Sequence, residues 1–264
     1  MSLRAIAADA DLLVEAVREA SEIALYYFKR DSLRVDFKEN DSPVSEGDYA
    51  VDKFLRETLT AARPEYGWLS EETVDDEPLA RMAAPRTFIV DPIDGTRAYV
   101  SGQKTWCISA AVVEDGRPIA GILGCPALGE VLLANADQES ACMEGAENST
   151  HDAVIGGRRA YVEQLRSALP TLNITESRYV PSLAYRIAMV ADGRLAGTFI
   201  RKHAHEWDLA AADLIVSKAG MKLVDADGAP ISYNRQNPKL GELVCAKPAL
   251  IEPMLNVVTG RSIR

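Results

Sequence analysis

The chain has 264 residues, 47% hydrophobic and 26% charged, a composition typical of folded globular proteins rather than disordered ones. Its formal net charge of −10 disfavours nucleic-acid binding over a broad face, because a phosphate backbone repels an acidic surface. Neither a signal peptide nor an apolar run long enough to span a bilayer is evident, so we expect a cytoplasmic protein that does not enter a membrane.

The four cysteines are scattered along the chain and include no Cys-x-x-Cys pair. The three histidines do not cluster with them, so the sequence predicts neither a zinc site nor a disulfide framework. We therefore expect Cys107, Cys125, Cys142 and Cys245 to be reduced thiols, and we interpret Cys107 as a core residue.

Two helices are predicted in the first quarter of the chain. Apolar side chains at helical spacing indicate a helix over residues 11–28 and another over residues 51–62. The polar segment 38–48 between them is predicted to be a loop. Ser45 and Asp48 have the spacing of a capping pair at the start of the second helix.

The middle of the chain is predicted to be mainly β-structure. The dipeptide Asp115-Gly116 between two apolar runs indicates a tight hairpin. The predicted strands cover residues 67–69, 87–90, 106–113, 118–124 and 131–134.

Helices and strands alternate again in the last third, after a polar segment that shows no clear pattern. We predict a helix over 182–192, a strand over 195–200, a helix over 208–219 closed by Gly220, a strand over 243–246 and a helix from Pro248. Such alternation favours sheets covered by layers of helices.

Two aspartates follow directly after the predicted strand 87–90. Asp91 and Asp94 would lie just past its carboxyl end, where ligands commonly bind in layered α/β folds. Close carboxylates repel each other unless a cation lies between them, and donors that are all oxygen favour magnesium over zinc. Gly95-Thr96 offers backbone N–H groups at a helix start, which can hold a phosphate. Aspartates also favour caps and turns, so this spacing alone leaves a purely structural interpretation open.

Two further acidic segments occupy comparable positions. Glu71-Glu72 follows a short strand, and Asp208 lies at a predicted helix start. Taken singly, the first fits a solvated acidic loop and the second a favourable charge at a helix N-terminus. The combination of these segments with Asp91 and Asp94 indicates a shared acidic site.

Four segments carry a family resemblance. Residues 91–96 (Asp-Pro-Ile-Asp-Gly-Thr) resemble the central motif of the inositol monophosphatase family, and 207–211 (Trp-Asp-Leu-Ala-Ala) resemble its second signature. Residues 69–73 are similar to its acidic pair, and 42–48 to its early loop. Their order and spacing agree with the family over roughly residues 10–250.

The resemblance implies an alternating αβαβα layered sandwich and a phosphate-monoester hydrolase. It implies one phosphatase domain with two lobes, residues 1–137 with the main metal motif and residues 138–264 supplying Asp208. A homodimer, lithium sensitivity and a small phosphorylated metabolite as substrate are also implied.

The resemblance also implies roles for individual residues. Two or three Mg²⁺ ions would activate a water for in-line attack on phosphorus, and the implied ligands are Glu71, Asp91, Asp94, Asp208 and the Ile93 carbonyl. Asp48, Thr96 and Glu71 would orient and deprotonate the water. Asp94, Gly95 and Thr96 would contact the substrate phosphate.

Two departures from the family pattern bear on dimerisation and substrate. Residues 134–152 lack the family's glycine-rich stretch ending in Asn-Gly, which leaves the dimer geometry open. Arg201 stands seven residues before Asp208, where inositol phosphatases carry a glutamate that grips inositol hydroxyls. Arginine suits a phosphate or carboxylate, so we predict that Arg201 contacts a second anionic group of the substrate, although it also fits a solvated strand end.

The motifs leave the substrate open. The family as a whole favours an inositol-1-phosphate-type substrate. The loop 38–48 resembles that of 3′(2′),5′-bisphosphate nucleotidases, and residues 94–99 are similar to those of histidinol-phosphate phosphatases. A non-catalytic regulatory protein on the same fold is a further alternative.

Overall fold

A computed structural model describes residues 3–28, 33–37, 43–144 and 153–261. The first part of the chain contains α1 (Leu3–Phe28), β1 (Val35–Phe37), β2 (Pro43–Ser45), α2 (Glu46–Ala62), β3 (Gly67–Ser70), α3 (Pro78–Ala83), β4 (Thr87–Asp94), α4 (Thr96–Val100), β5 (Cys107–Glu114), β6 (Arg117–Cys125), β7 (Glu130–Asn135) and β8 (Cys142–Glu144). The second part contains β9 (Ala153–Gly156), α5 (Arg159–Ala168), β10 (Ile174–Glu176), α6 (Leu183–Ala191), β11 (Gly197–Ile200), a 3-10 turn (Glu206–Asp208), α7 (Ala210–Lys218), β12 (Lys222–Asp225), β13 (Leu243–Ala246) and α8 (Pro248–Thr259).

The strands form two main sheets. The larger has six strands in the order β3-β4-β5-β6-β7-β8, antiparallel except for the parallel pair β3/β4. The smaller has five strands in the order β10-β9-β11-β13-β12 and mixes parallel with antiparallel pairs. A separate two-stranded ribbon joins β1 to β2.

Helices and sheets alternate in five layers. Helices α1 and α2 pack on one face of the six-stranded sheet, and α6 and α7 fill the space between the two sheets. Helices α5 and α8 cover the outer face of the five-stranded sheet. Each face of both sheets is thereby buried by helices, which confirms the predicted αβαβα layered sandwich.

The strand that carries the central motif is longer than predicted. Strand β4 continues to Asp94, with Asp91 paired to Ser109 and Asp94 to Cys107 across an irregularity in register. The prediction that both aspartates lie past the strand end was therefore wrong. Proline at position 92 cannot donate to a ladder, and the irregularity accommodates it without ending the strand.

The predicted loop 38–48 was also wrong in its second half. Residues 43–45 form β2, and α2 begins at Glu46 because Ser45 caps it. Ser45 Oγ accepts from the Gly47 and Asp48 N–H groups, while an Asp48 carboxylate oxygen accepts from Ser45 N at 2.8 Å. This reciprocal arrangement confirms the predicted capping pair. Residues 38–42 lie outside the described part of the chain.

Helix α1 begins earlier than predicted, at Leu3, and strand β8 forms within the polar segment after residue 135. Residues 145–152 of that segment are not among the described residues. Among the helices described, none is long and apolar enough to cross a lipid bilayer.

Candidate active site

Three carboxylates meet at one end of the six-stranded sheet. One oxygen each of Asp91, Asp94 and Asp208 lies within 4.8 Å of the other two. Asp91 and Asp94 are buried, and Asp208 is half-buried. The structure thus brings together acids from β4 and from the 3-10 turn that are more than a hundred residues apart in sequence.

The proximity of these acids shows in their pKa values. Burial raises the pKa of Asp91 well above its usual range, and the charges of Glu71, Asp94 and Asp208 raise it further. Burial likewise raises the pKa of Asp94 to about 6, although hydrogen bonds from the start of α6 oppose the rise. Three ionised carboxylates at this separation are costly without a cation, so the donor set fits a divalent metal ion bound by oxygen ligands.

Glu71 lies beside this group, in the turn that follows β3. Its charge raises the pKa of Asp48, Asp91 and Asp94, which places its carboxylate near all three. Asp52 of α2 holds the turn on both sides: it accepts a short hydrogen bond from Ser70 Oγ, and another from Thr73 Oγ1 at 2.9 Å. The charge of the adjacent Glu72 also raises the pKa of Asp91, by less than that of Glu71.

Asp208 is positioned by contacts of the turn that carries it. Ser109 of β5, which pairs with Asp91, donates to the Trp207 carbonyl at 3.1 Å. The buried Glu206 accepts from the backbone N–H groups of Asn234 and Arg235, at 2.6 and 3.1 Å. The Asp208 carboxylate itself accepts from His205 N at 2.7 Å.

Asp48 and Thr96 form a polar link next to the cluster. The Thr96 hydroxyl lies 3.1 Å from an Asp48 oxygen and 3.0 Å from the Ile93 carbonyl. Burial raises the pKa of Asp48 to about 6, against the lowering effect of hydrogen bonds from Ser45 and Thr96. A carboxylate with this pKa can accept a proton near neutral pH.

Gly95 has a φ of +93°, a left-handed conformation that favours glycine. A Cβ there would also lie 3.0 Å from Ser182 Cβ. The first hydrogen bonds to the Gly95 carbonyl come from Ala98 and Tyr99, so the N–H groups of Gly95 and Thr96 precede the hydrogen-bonded turn of α4.

Arg201 lies directly after β11. It is exposed and lines a cavity of about 150 Å³ together with Arg178, Arg186 and Tyr179. In this lining, Arg186 lies one helical turn after Ser182, whose hydroxyl contacts Asp94, so the cavity lies beside the acidic site.

The sequence interpretation missed Ser182, the N-cap of α6. Its hydroxyl donates to an Asp94 oxygen at 2.5 Å, and the Ala184 N–H donates to the same oxygen at 2.6 Å. The buried Cys107 thiol, interpreted as core, lies 4.0 Å from this oxygen and 3.4 Å from Ser182 Oγ. The predicted helix 182–192 included Ser182 as its first residue, and nothing local signals that this serine faces a residue 88 positions earlier.

Residues 7–258 match the sequence profile of the inositol monophosphatase family. The chain belongs to that family. Among curated relatives, the inositol-1-monophosphatase of Rhizobium meliloti is 29% identical over 94% of this chain and 95% of its own length. The histidinol-phosphatase of Chlorobaculum parvum is 32% identical, covering 80% of this chain and 83% of the relative. The 3′(2′),5′-bisphosphate nucleotidase CysQ of Aggregatibacter actinomycetemcomitans is 28% identical over 85% and 87%.

Solved structures share the fold of this family member. An IMPase/NADP phosphatase complexed with Mg²⁺ and phosphate superposes with a TM-score of 0.82 over 97% of both chains, at 18% identity. The Thermotoga maritima IMPase gives 0.78 over 95% of this chain and 96% of its own, at 22% identity. Since the curated relatives are phosphatases of three different substrates, the chain is a phosphoric monoester hydrolase whose substrate the comparisons leave open.

Proposed function

We propose that this inositol monophosphatase family member hydrolyses a small phosphate monoester with the help of two or three Mg²⁺ ions. The observation that carries the proposal is the convergence of Asp91, Asp94 and Asp208 within 4.8 Å. All three donors are carboxylates, which suits a hard cation such as Mg²⁺. Bound cations would also reconcile an anionic substrate with a chain of net charge −10.

The proposed ligands extend the compact cluster by two neighbouring groups. Glu71 would share an ion with the aspartates, since its charge already acts on Asp91 and Asp94. The Ile93 carbonyl would be a further ligand. When bound, Mg²⁺ supplies positive charge that makes water easier to deprotonate and stabilises the transition state at the attacking and leaving oxygens.

The remaining residues would orient the reactants and move the proton. The Thr96 hydroxyl would position a water, and the Asp48 carboxylate would take its proton through the contact at 3.1 Å. Glu71 would hold the same water from the other side. Asp94 and the N–H groups of Gly95 and Thr96 would contact the phosphate.

Arg201 favours a second candidate for the substrate. Family membership alone favours an inositol-1-phosphate-type substrate. A cavity lined by Arg201 and two more arginines instead favours a 3′(2′),5′-bisphosphate nucleotidase, since Arg201 would there contact a second phosphate. The same lining disfavours histidinol phosphate, whose ammonium group would meet like charges. We also propose that the protein is a cytoplasmic homodimer and that lithium inhibits it. The two lobes of the chain would meet at the active site.

Removal of metal tests the proposal. We expect the chelated protein to lose hydrolysis of p-nitrophenyl phosphate and of inositol 1-phosphate, and millimolar Mg²⁺ to restore it. The control is the same dialysis without chelator. Phosphate release that continues undiminished after exhaustive chelation would contradict the proposed metal dependence.

A further inference from the structure

Arg186 of α6 is a half-buried arginine whose Nε is enclosed and has no hydrogen-bond partner in the described part of the chain. Three other arginines with little exposure, Arg81, Arg86 and Arg194, each form an ion pair with a carboxylate at 2.9 Å or less. A buried donor without a partner is costly. Arg186 therefore lacks the carboxylate partner that each of these three arginines has.

Arg186 lines the cavity of about 150 Å³ described above. Arg178, Arg186 and Arg201 line it, against a single acid, Glu176, which lies 4.0 Å from Arg159 outside the lining. The volume is several times the roughly 30 Å³ that one water occupies in the liquid. A chain of strongly negative charge thus concentrates positive charge in one small cavity.

This cavity lies next to the acidic cluster. Arg186 follows Ser182 by one helical turn, its N–H donates to the Ser182 carbonyl at 3.1 Å, and the Ser182 hydroxyl contacts Asp94. The rise along α6 between the two positions is about 6 Å. Burial lowers the pKa of Arg186, whereas the charge of Asp94 raises it, so the two side chains interact without forming an ion pair.

We propose that this cavity binds a second anionic group of the substrate, a phosphate or a carboxylate, and that Arg186 is its main charged contact. The inference rests on the proposed phosphatase function. The substrate would then be a small phosphate ester with its second anion on the same sugar or nucleoside. Tyr179, 72% exposed at the rim, offers a ring face to the part of the substrate between the two groups.

Two matched substrate pairs test the inference. They are adenosine 3′,5′-bisphosphate with adenosine 3′-monophosphate, and fructose 1,6-bisphosphate with fructose 1-phosphate. In at least one pair we expect the wild-type protein with Mg²⁺ to prefer the bisphosphate by about ten-fold or more in kcat/KM. If the wild-type protein prefers the bisphosphate in neither pair, the inference is overturned before any variant is measured.

Arg186→Gln should remove that preference by lowering kcat/KM for the bisphosphate about ten-fold or more, while the monophosphate changes by less than about three-fold. Arg186→Lys, which keeps the positive charge, should retain part of the preference for the bisphosphate. Arg18→Gln, on the exposed face of α1, is the matched control for loss of one positive charge. Equal losses on both members of a pair would overturn the inference. Failure of the wild-type protein to hydrolyse p-nitrophenyl phosphate or any of the four esters would instead contradict the proposed function.

Discussion

The proposed proton transfer depends on a single hydroxyl, that of Thr96. It lies between the Asp48 carboxylate and the Ile93 carbonyl, at 3.1 and 3.0 Å, and so connects Asp48 to the central motif. Removing it would separate the proposed proton acceptor from the water that it serves.

Thr96→Val should lower kcat for p-nitrophenyl phosphate about 100-fold, since general-base assistance contributes about 10²–10⁴-fold. The loss of stability should stay near 1 kcal/mol, the value of one hydrogen bond. Steady-state kinetics and urea unfolding measure the two effects. Thr60→Val is the matched control, because its hydroxyl donates to the Arg56 carbonyl at 2.6 Å on an exposed helix face. A fall in kcat of less than three-fold would contradict the proposed role.

At the residue scale, the sequence predicted which acids come together, but it did not predict the hydrogen bonds that orient them. Asp91, Asp94 and Asp208 stand out in the sequence because each follows a predicted strand or starts a predicted helix, and the structure brings their oxygens together. Arg186 could not be predicted in the same way. An arginine in a helix usually points to solvent, and only the packing of α6 between two sheets encloses its Nε. The catalytic and ligand roles themselves stay predictions.

At the scale of elements, helix α6 links the cluster to the core. Its N-cap Ser182 accepts from Tyr185 N at 3.1 Å while donating to Asp94, so one hydroxyl both starts the helix and fixes a proposed ligand. The orientation of Asp94 therefore depends on how firmly α6 begins.

Ser182→Ala should raise the Mg²⁺ concentration for half-maximal hydrolysis about ten-fold, because groups that hold metal ligands commonly contribute 10–100-fold in affinity. It should also cost about 1 kcal/mol of stability through the lost cap. Ser182→Thr keeps a hydroxyl and should retain most of the Mg²⁺ affinity and most of the stability. The measurement is a Mg²⁺ titration of phosphate release. An unchanged titration curve for Ser182→Ala would show that α6 does not hold Asp94 in its working position.

Element prediction succeeded where the local pattern was strong. The hairpin at Asp115-Gly116 was confirmed because both residues adopt positive φ, as such a turn requires. The short elements β1, α3, β9, β10 and β12 were missed, since three to six residues carry too little periodicity to indicate a helix or strand. The ten-residue helix α5 was missed as well. Their places are set by neighbours that are distant in sequence.

At the scale of the whole molecule, contacts across the chain fix the site. Arg81 of α3 forms an ion pair with Asp75 at 2.9 Å and reaches the Arg235 carbonyl at 2.9 Å, and Arg235 in turn contacts Glu206 beside Trp207-Asp208. The acidic loop after β3 is thereby tied to the segment that presents Asp208. The division into lobes near residue 137 and the homodimer stay predictions, because neither is tested by this arrangement.

The central claim is that the converging aspartates bind Mg²⁺, and calorimetric titration of Mg²⁺ into the metal-free protein tests it most directly. Asp91→Asn keeps the size of the side chain, and Asp137→Asn, exposed in the turn after β7, is the matched control for charge. The account predicts that the wild-type protein and Asp137→Asn bind at least two ions, and that Asp91→Asn loses at least one of them. Binding by Asp91→Asn that matches the wild-type protein in stoichiometry and affinity would contradict it.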